Sequence, residues 1–216
     1  MDLIKKWKQK IKRFMGESQS YFNNCKNEIT LKNFRMLKLA NVLQLLMVAV
    51  YFVVAAFTFH SRIINLIYMV YVVCDIIFTI YIFGYLKKER RNFKRIQRAC
   101  WTFDTLCMGF IILISVYPLV NDPGIFFLIM IVFIPIIFIL PFTRMIGFVT
   151  GSEVIFFILA SLIKTENAFH FDMASSITAW IFAMVATYII NDVRIYDNQM
   201  NRELGLTRSK DKSPKV

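Results

Sequence analysis

Paired cysteines are the first thing the chain lacks. Cys25, Cys74, Cys100 and Cys107 include no C-x-x-C spacing, and Cys74 falls inside an apolar run. A disulfide framework and a zinc site are both disfavoured. Histidine is nearly missing as well: His60 and His170 are the only two, and two ligands without a third make a poor metal site. No metal and no cofactor are expected. Glycine and proline are few, 7 and 5 in 216 residues, and no segment alternates with period two, which excludes a membrane barrel. G-x-S-x-G, H-E-x-x-H, P-loop and dinucleotide fingerprints are absent. So are the His and Arg clusters of a membrane phosphatase, and the chain is not expected to be an enzyme. A secretory signal peptide is not expected either. The first apolar run begins near Leu39 after a long basic segment, and no small-residue cleavage pattern follows.

What the chain has in excess is apolar surface. Hydrophobic residues make up 57% of it, 22 of them Phe, against about 45–50% in soluble domains. They collect in runs of about 20 residues, the length that crosses a hydrocarbon core about 30 Å thick. The runs predict an all-α integral membrane protein with six transmembrane helices, at Leu39–Phe59, Ile63–Leu86, Ala99–Val120, Gly124–Phe142, Met145–Ile163 and Met173–Asn191. Tight turns are expected at Asn121-Asp122-Pro123 and at Thr143-Arg144, and Pro135 is expected to kink the fourth span.

The net charge of +12 would suggest nucleic acid on a soluble protein. Here the charge lies beside the apolar runs, with no accompanying aromatic-basic motif, so nucleic acid is not an expected partner. Topology explains the charge better. Of the 26 Lys and Arg, 24 fall on one side of the six-span arrangement, and only Arg62 and Lys164 fall on the other. The positive-inside rule then predicts a multi-pass protein of the cell (inner) membrane with both termini cytoplasmic.

The chain divides accordingly. Residues 1–38 form a basic amphipathic segment: Leu3, Ile4, Trp7, Ile11, Phe14 and Met15 recur at helical spacing, and Lys5, Lys6, Lys8, Lys10, Lys12 and Arg13 fill the other face. Such a helix suits anionic headgroups of the bilayer, or else a face packed on a partner domain. Residues 39–191 form the transmembrane domain, and residues 192–216 a cytoplasmic signalling helix and a disordered tail from Lys210. Gly205 is the expected helix stop.

Inside the spans, Asp75 is the most informative residue. A carboxyl group near a span centre costs about 2.5–3.5 kcal/mol and has to face the bundle. Tyr68, Tyr71 and Thr79 share its helical face. The stripe reads either as a ligand or proton site or as a neutral acid hydrogen-bonded for structure. Asp104 with Arg98, and Glu153 with Arg144, suggest interfacial ion pairs, and together with Asp75 the acids are also candidates for a cation path. Gly147 and Gly151 make a G-x-x-x-G that permits close helix approach. Ser176, Trp180, Ala183, Thr187 and Asn191 form a polar face best read as core packing.

Beyond the last span, Ile189, Val193, Tyr196, Met200 and Leu204 continue at steps of four, three, four and four. They predict a helix running on from span six with an apolar seam for a parallel homodimer. This arrangement resembles the N-terminal sensory region of bacterial multi-span receptors. There, a six-helix membrane domain feeds a short signalling helix and then a diguanylate cyclase or histidine kinase module. Tyr196-Asp-Asn-Gln-Met-Asn-Arg-Glu-Leu204 resembles their connector helix, and Tyr21 to Asn33 their leader before span one. The resemblance implies a cytoplasmic output domain or partner protein. The output signatures themselves are absent from these residues, so no catalytic residue carries over. The expected function is a membrane sensory or signal-transduction module; the alternative is a small transporter, or a transporter's substrate-binding subunit, built around buried acids such as Asp75.

Overall fold

The computed structural model describes residues 2–58 and 62–211, apart from the side chains of residues 2–5, 7, 8, 10, 11, 55, 56, 58, 198 and 201–211. Every regular element in it is helical. Helix α1 spans Asp2–Asn24 and α2 Lys26–Thr58; α3 spans Arg62–Ile80 and widens into a π-helical turn at Tyr81–Leu86. Helix α4 spans Phe93–Val116, α5 Ile125–Ile137, α6 Phe142–Ile163 and α7 Glu166–Asp211. His60 lies outside the described residues, as do the side chains of Leu3, Ile4, Trp7, Ile11 and Leu204.

Five helices are long and apolar enough to cross a membrane: α2, α3 with its π turn, α4, α6 and α7. Four of them are inside-out by the standards of a soluble fold, with only 17–28% of their apolar windows buried. Leu46, Ile80, Leu162 and Phe182 are each 60% exposed or more. A soluble surface does not present contiguous apolar area on this scale, so the fold is that of a membrane-embedded helical protein. Helix α4 is the axis of the bundle, with 67% of its window buried. Around it, Tyr71 stacks on Phe110 at 3.8 Å and Phe127 on Phe156 at 3.9 Å.

The run expected as a fourth span takes a different form. Helix α5 has only 13 residues and ends at Ile137; Phe138 is extended, at φ −114° and ψ 157°. The turn expected at Thr143-Arg144 therefore falls earlier, and both residues lie in the first turn of α6. Pro135 sits inside α5 and contributes no N–H, while Pro141 disfavours the helical conformation at Leu140. The chain can leave the helix here because Phe138, Ile139, Leu140 and Pro141 are buried in protein, a setting in which irregular backbone is tolerated at membrane depth.

A single turn residue, Cys25, joins α1 to α2, with backbone bonds from Cys25 N–H to Tyr21 and from Ile29 N–H to Cys25 running across it. The Phe14 ring of α1 packs on Phe142 of α6 and Tyr188 of α7, and Phe22 packs on Phe93 at the start of α4. Of the face expected to meet lipid, Phe14 packs on the bundle. Lys6, Lys12, Arg13 and Met15 remain exposed. Within the segment 87–98, expected to be a basic connection, residues 93–98 are already helical. Asn92 caps α4 by accepting the Arg95 backbone N–H at 3.3 Å. At the far end, α7 runs through Gly205 to Asp211 without the expected stop and includes Lys210, which the tail was expected to leave disordered.

Candidate functional site

Asp75, Tyr68, Tyr71 and Thr79 come together as one buried stripe on α3, with Tyr68, Tyr71 and Asp75 all less than 8% exposed. Residues of α2 complete it. Asn41 Nδ2 donates to Asp75 Oδ1 at 2.9 Å. The Thr79 hydroxyl lies 2.8 Å from Asn41 Oδ1 and 2.7 Å from the Asp75 carbonyl. Gln44 Nε2 donates to the Tyr71 hydroxyl at 3.1 Å, and that hydroxyl reaches Cys107 Sγ of α4 at 3.5 Å. The second carboxylate oxygen of Asp75 is buried without a hydrogen-bond partner among the described residues.

The ion pairs expected at the ends of spans three and five do not form. Asp104 is wholly buried, one turn before Cys107, and Glu153 is half-buried. All four of their carboxylate oxygens are without a hydrogen-bond partner among the described residues. Arg98 and Arg144 point to the exterior. The reason is helical phase. Asp104 shares the inward face of α4 with Cys100 and Cys107, while Arg98 lies on the outward face, a relation that closeness in sequence conceals. Glu153 belongs to the α6–α7 side, beside Ser176, whereas Asp75 and Asp104 both lie near Cys107.

Two further polar clusters hold α5 at either end. At its start, Asp172 of α7 accepts the Gly124 backbone N–H at 2.8 Å and pairs with Lys164, the two side chains 1% and 0% exposed. Lys164 also donates to the Asp122 carbonyl at 2.8 Å, and Ser115 Oγ accepts the Phe127 N–H at 3.0 Å. Position 124 is closely surrounded: a Cβ there would lie 3.1 Å from the Phe156 ring, 3.2 Å from Ser115 Cβ and 3.3 Å from Asp172 Oδ2. At its finish, the Asn33 side chain pairs with Ile139 in both directions: Nδ2 to the carbonyl at 2.9 Å, and the backbone N–H to Oδ1 at 2.8 Å. Arg194 of α7 donates to the Ile136 and Phe138 carbonyls at 3.2 and 3.3 Å. These groups do for a broken helix what a continuing helix would do for itself.

Sequence reasoning missed Asn33, Asn41, Gln44, Lys164, Asp172 and Arg194. Asn41 and Gln44 carried a usable signal, since polar side chains within an apolar run face the bundle. The others lie at span ends, where a polar residue is unremarkable until its partner is known.

The seam residues Ile189, Val193, Tyr196 and Met200 all lie on α7 and are 41–61% exposed. The polar face from Ser176 to Asn191 is core, as expected, with Ser176, Ala183 and Thr187 at most 2% exposed and the Trp180 indole donating to Thr150 at 3.2 Å. Gly147 and Gly151 permit no close approach within the chain: a Cβ on either would meet nothing within 4 Å. His170 is exposed, 3.8 Å from Glu166, and no metal-holding group of side chains occurs among the described residues.

No family model matches the chain, and no curated protein and no solved structure matches it either.

Proposed function

We propose that the chain is a signal-transduction module of the cell membrane that crosses the bilayer six times with both termini cytoplasmic. In this reading α7 carries the state of the bundle to an output domain or partner. The observation that carries it is the continuity of α7: 46 residues without a break, joined to the start of α5 through Asp172 and to the end of α5 through Arg194. A shift of α5 has to move both contacts, and a rigid helix passes that shift along its axis.

Six crossings are supported by where helices begin. Phe93 of α4 and Phe142 of α6 both meet α1, whereas α5 starts beside Ser115 at the far end of α4. The thirteen residues of α5 rise about 20 Å, and the buried non-helical residues 138–141 carry the chain on to α6. The exposed strip through Ile189, Val193, Tyr196 and Met200 supports pairing of two copies in parallel. A transporter is the second reading, favoured by the buried carboxylate oxygens without a hydrogen-bond partner among the described residues, one on Asp75 and both on Asp104.

One insertion separates the two. A residue added after Asp197 leaves the Arg194 contact intact and turns everything downstream by about 100°. The seam then breaks between Tyr196 and Met200. A fusion of the chain to a reporter output domain is expected to lose its response. An unchanged response, together with no cysteine cross-link between copies at positions 193, 196 and 200, would favour the transporter.

A further inference from the structure

Two cavities adjoin at the end of the bundle that carries the basic segments. One, of about 450 Å³, is polar, and its lining includes Tyr21, Lys32, Asn33, Arg35 and Arg194, with Glu28 and Asp197. The other, of about 470 Å³, is an apolar groove between α2, α4 and α5, walled by Leu43, Met47, Phe110 and Phe133. Met36 and Ile137 line both, so the polar pocket and the groove abut.

Against three cations, Lys32, Arg35 and Arg194, the lining sets two carboxylates, Glu28 and Asp197, which leaves one positive charge over. Lys32 is held by Glu28 at 2.6 Å, and Arg194 points its two terminal nitrogens at backbone carbonyls. Arg35 is exposed and has no ion pair among the described residues. Tyr21 is neutral, its phenol raised by burial above its ordinary range. The pocket therefore favours an anion with hydrogen-bond acceptors. The groove follows α2 from Met36 to Tyr51, about 22 Å at the helical rise. A single flexible apolar chain fits.

We infer that this pair of cavities is a binding site for one anionic phospholipid, with its phosphate among Lys32, Arg35 and Arg194 and one acyl chain lying along α2 in the groove. The assignment does not depend on a signalling role. It has a consequence for one, because the headgroup would sit against Arg194, the residue that ties α7 to the end of α5.

The test uses the full chain in nanodiscs of phosphatidylcholine doped with phosphatidylglycerol carrying a photoreactive acyl chain. Cross-links are expected on groove residues such as Leu43, Met47 and Phe133, and the same probe on phosphatidylcholine should label them several-fold less. Lys32→Gln and Arg35→Gln remove exposed cations and should each reduce labelling by phosphatidylglycerol about fivefold. Leu43→Trp fills the groove, leaves the pocket intact and should abolish labelling of Met47 and Phe133. Leu43 is 53% exposed, so this variant keeps the test open if a charge variant misfolds. Equal labelling by the two headgroups would overturn the assignment. So would loss of labelling under excess inorganic phosphate, which would indicate a soluble-anion site, or cross-links joining two copies through the groove, which would indicate a helix from a second chain.

Discussion

At the scale of single residues, the buried acids differ in what surrounds them. Asp75 has a partner in Asn41, and the amide of asparagine offers the same acceptor. Asp75→Asn should change stability by less than about 1 kcal/mol, whereas Asp75→Leu strands the Asn41 donor at a cost of about 1–3 kcal/mol. Thermal unfolding in detergent measures both, and equal losses for the two variants would mean that the Asn41 bond contributes nothing. Asp104 is the opposite case: it is wholly buried and both its oxygens are unpartnered. Removing an unsatisfied buried group relieves its desolvation penalty, so Asp104→Leu should raise stability by about 1–3 kcal/mol. A residue kept against its own stability is a candidate for function. The same variant should therefore impair signalling or transport in whichever assay reports activity. A destabilised Asp104→Leu would mean that the acid has a partner, such as a bound water.

At the scale of elements, α5 is the weak member of the bundle and depends on what holds its ends. Asn33→Ala orphans a buried N–H and a buried carbonyl of Ile139, and should cost at least about 2 kcal/mol. At the other end, Lys164→Met leaves the Asp172 carboxylate buried without its cation, a change worth about 3–5 kcal/mol. Adding Asp172→Asn to that variant removes the charge but keeps an oxygen for the Gly124 N–H. The double variant should recover at least half of the loss, and a strictly additive double mutant would show that the pair is not coupled. Gly124→Ala should destabilise, because the Phe156 ring 3.1 Å away is buried and stacked on Phe127 and has little room to give.

At the scale of the whole molecule, the prediction concerns sidedness. Cys25 is itself a poor reporter because it is only 8% exposed. In a background without the four native cysteines, Asn27→Cys and Asn167→Cys stand at opposite ends of the bundle and are both exposed. Impermeant thiol reagents should label position 27 only from the cytoplasmic side and position 167 only from the outside. Labelling of both from one side would sink the six-crossing arrangement. The charge distribution motivates the orientation, and the return of the chain through α5 motivates the count.

How much of this was legible beforehand follows from the range of the forces involved. Runs of apolar residues and the placement of Lys and Arg are local properties, and a bilayer acts on each helix separately. The helical class, five of the six long segments and the stripe of Tyr68, Tyr71, Asp75 and Thr79 could therefore be read from the sequence. So could the continuation of α7 past Asn191, because the spacing of Ile189, Val193, Tyr196 and Met200 is itself helical. What tertiary structure alone decided were the partners. Asn33 lies 106 positions before Ile139, and Arg194 lies 56 after Phe138. No local pattern shows that these groups meet, or that their meeting allows α5 to stop at Ile137. The failed pairing of Asp104 with Arg98 has the same origin. Six residues apart is close in sequence, but packing around α4 turned the acid into the core and left the arginine outside it.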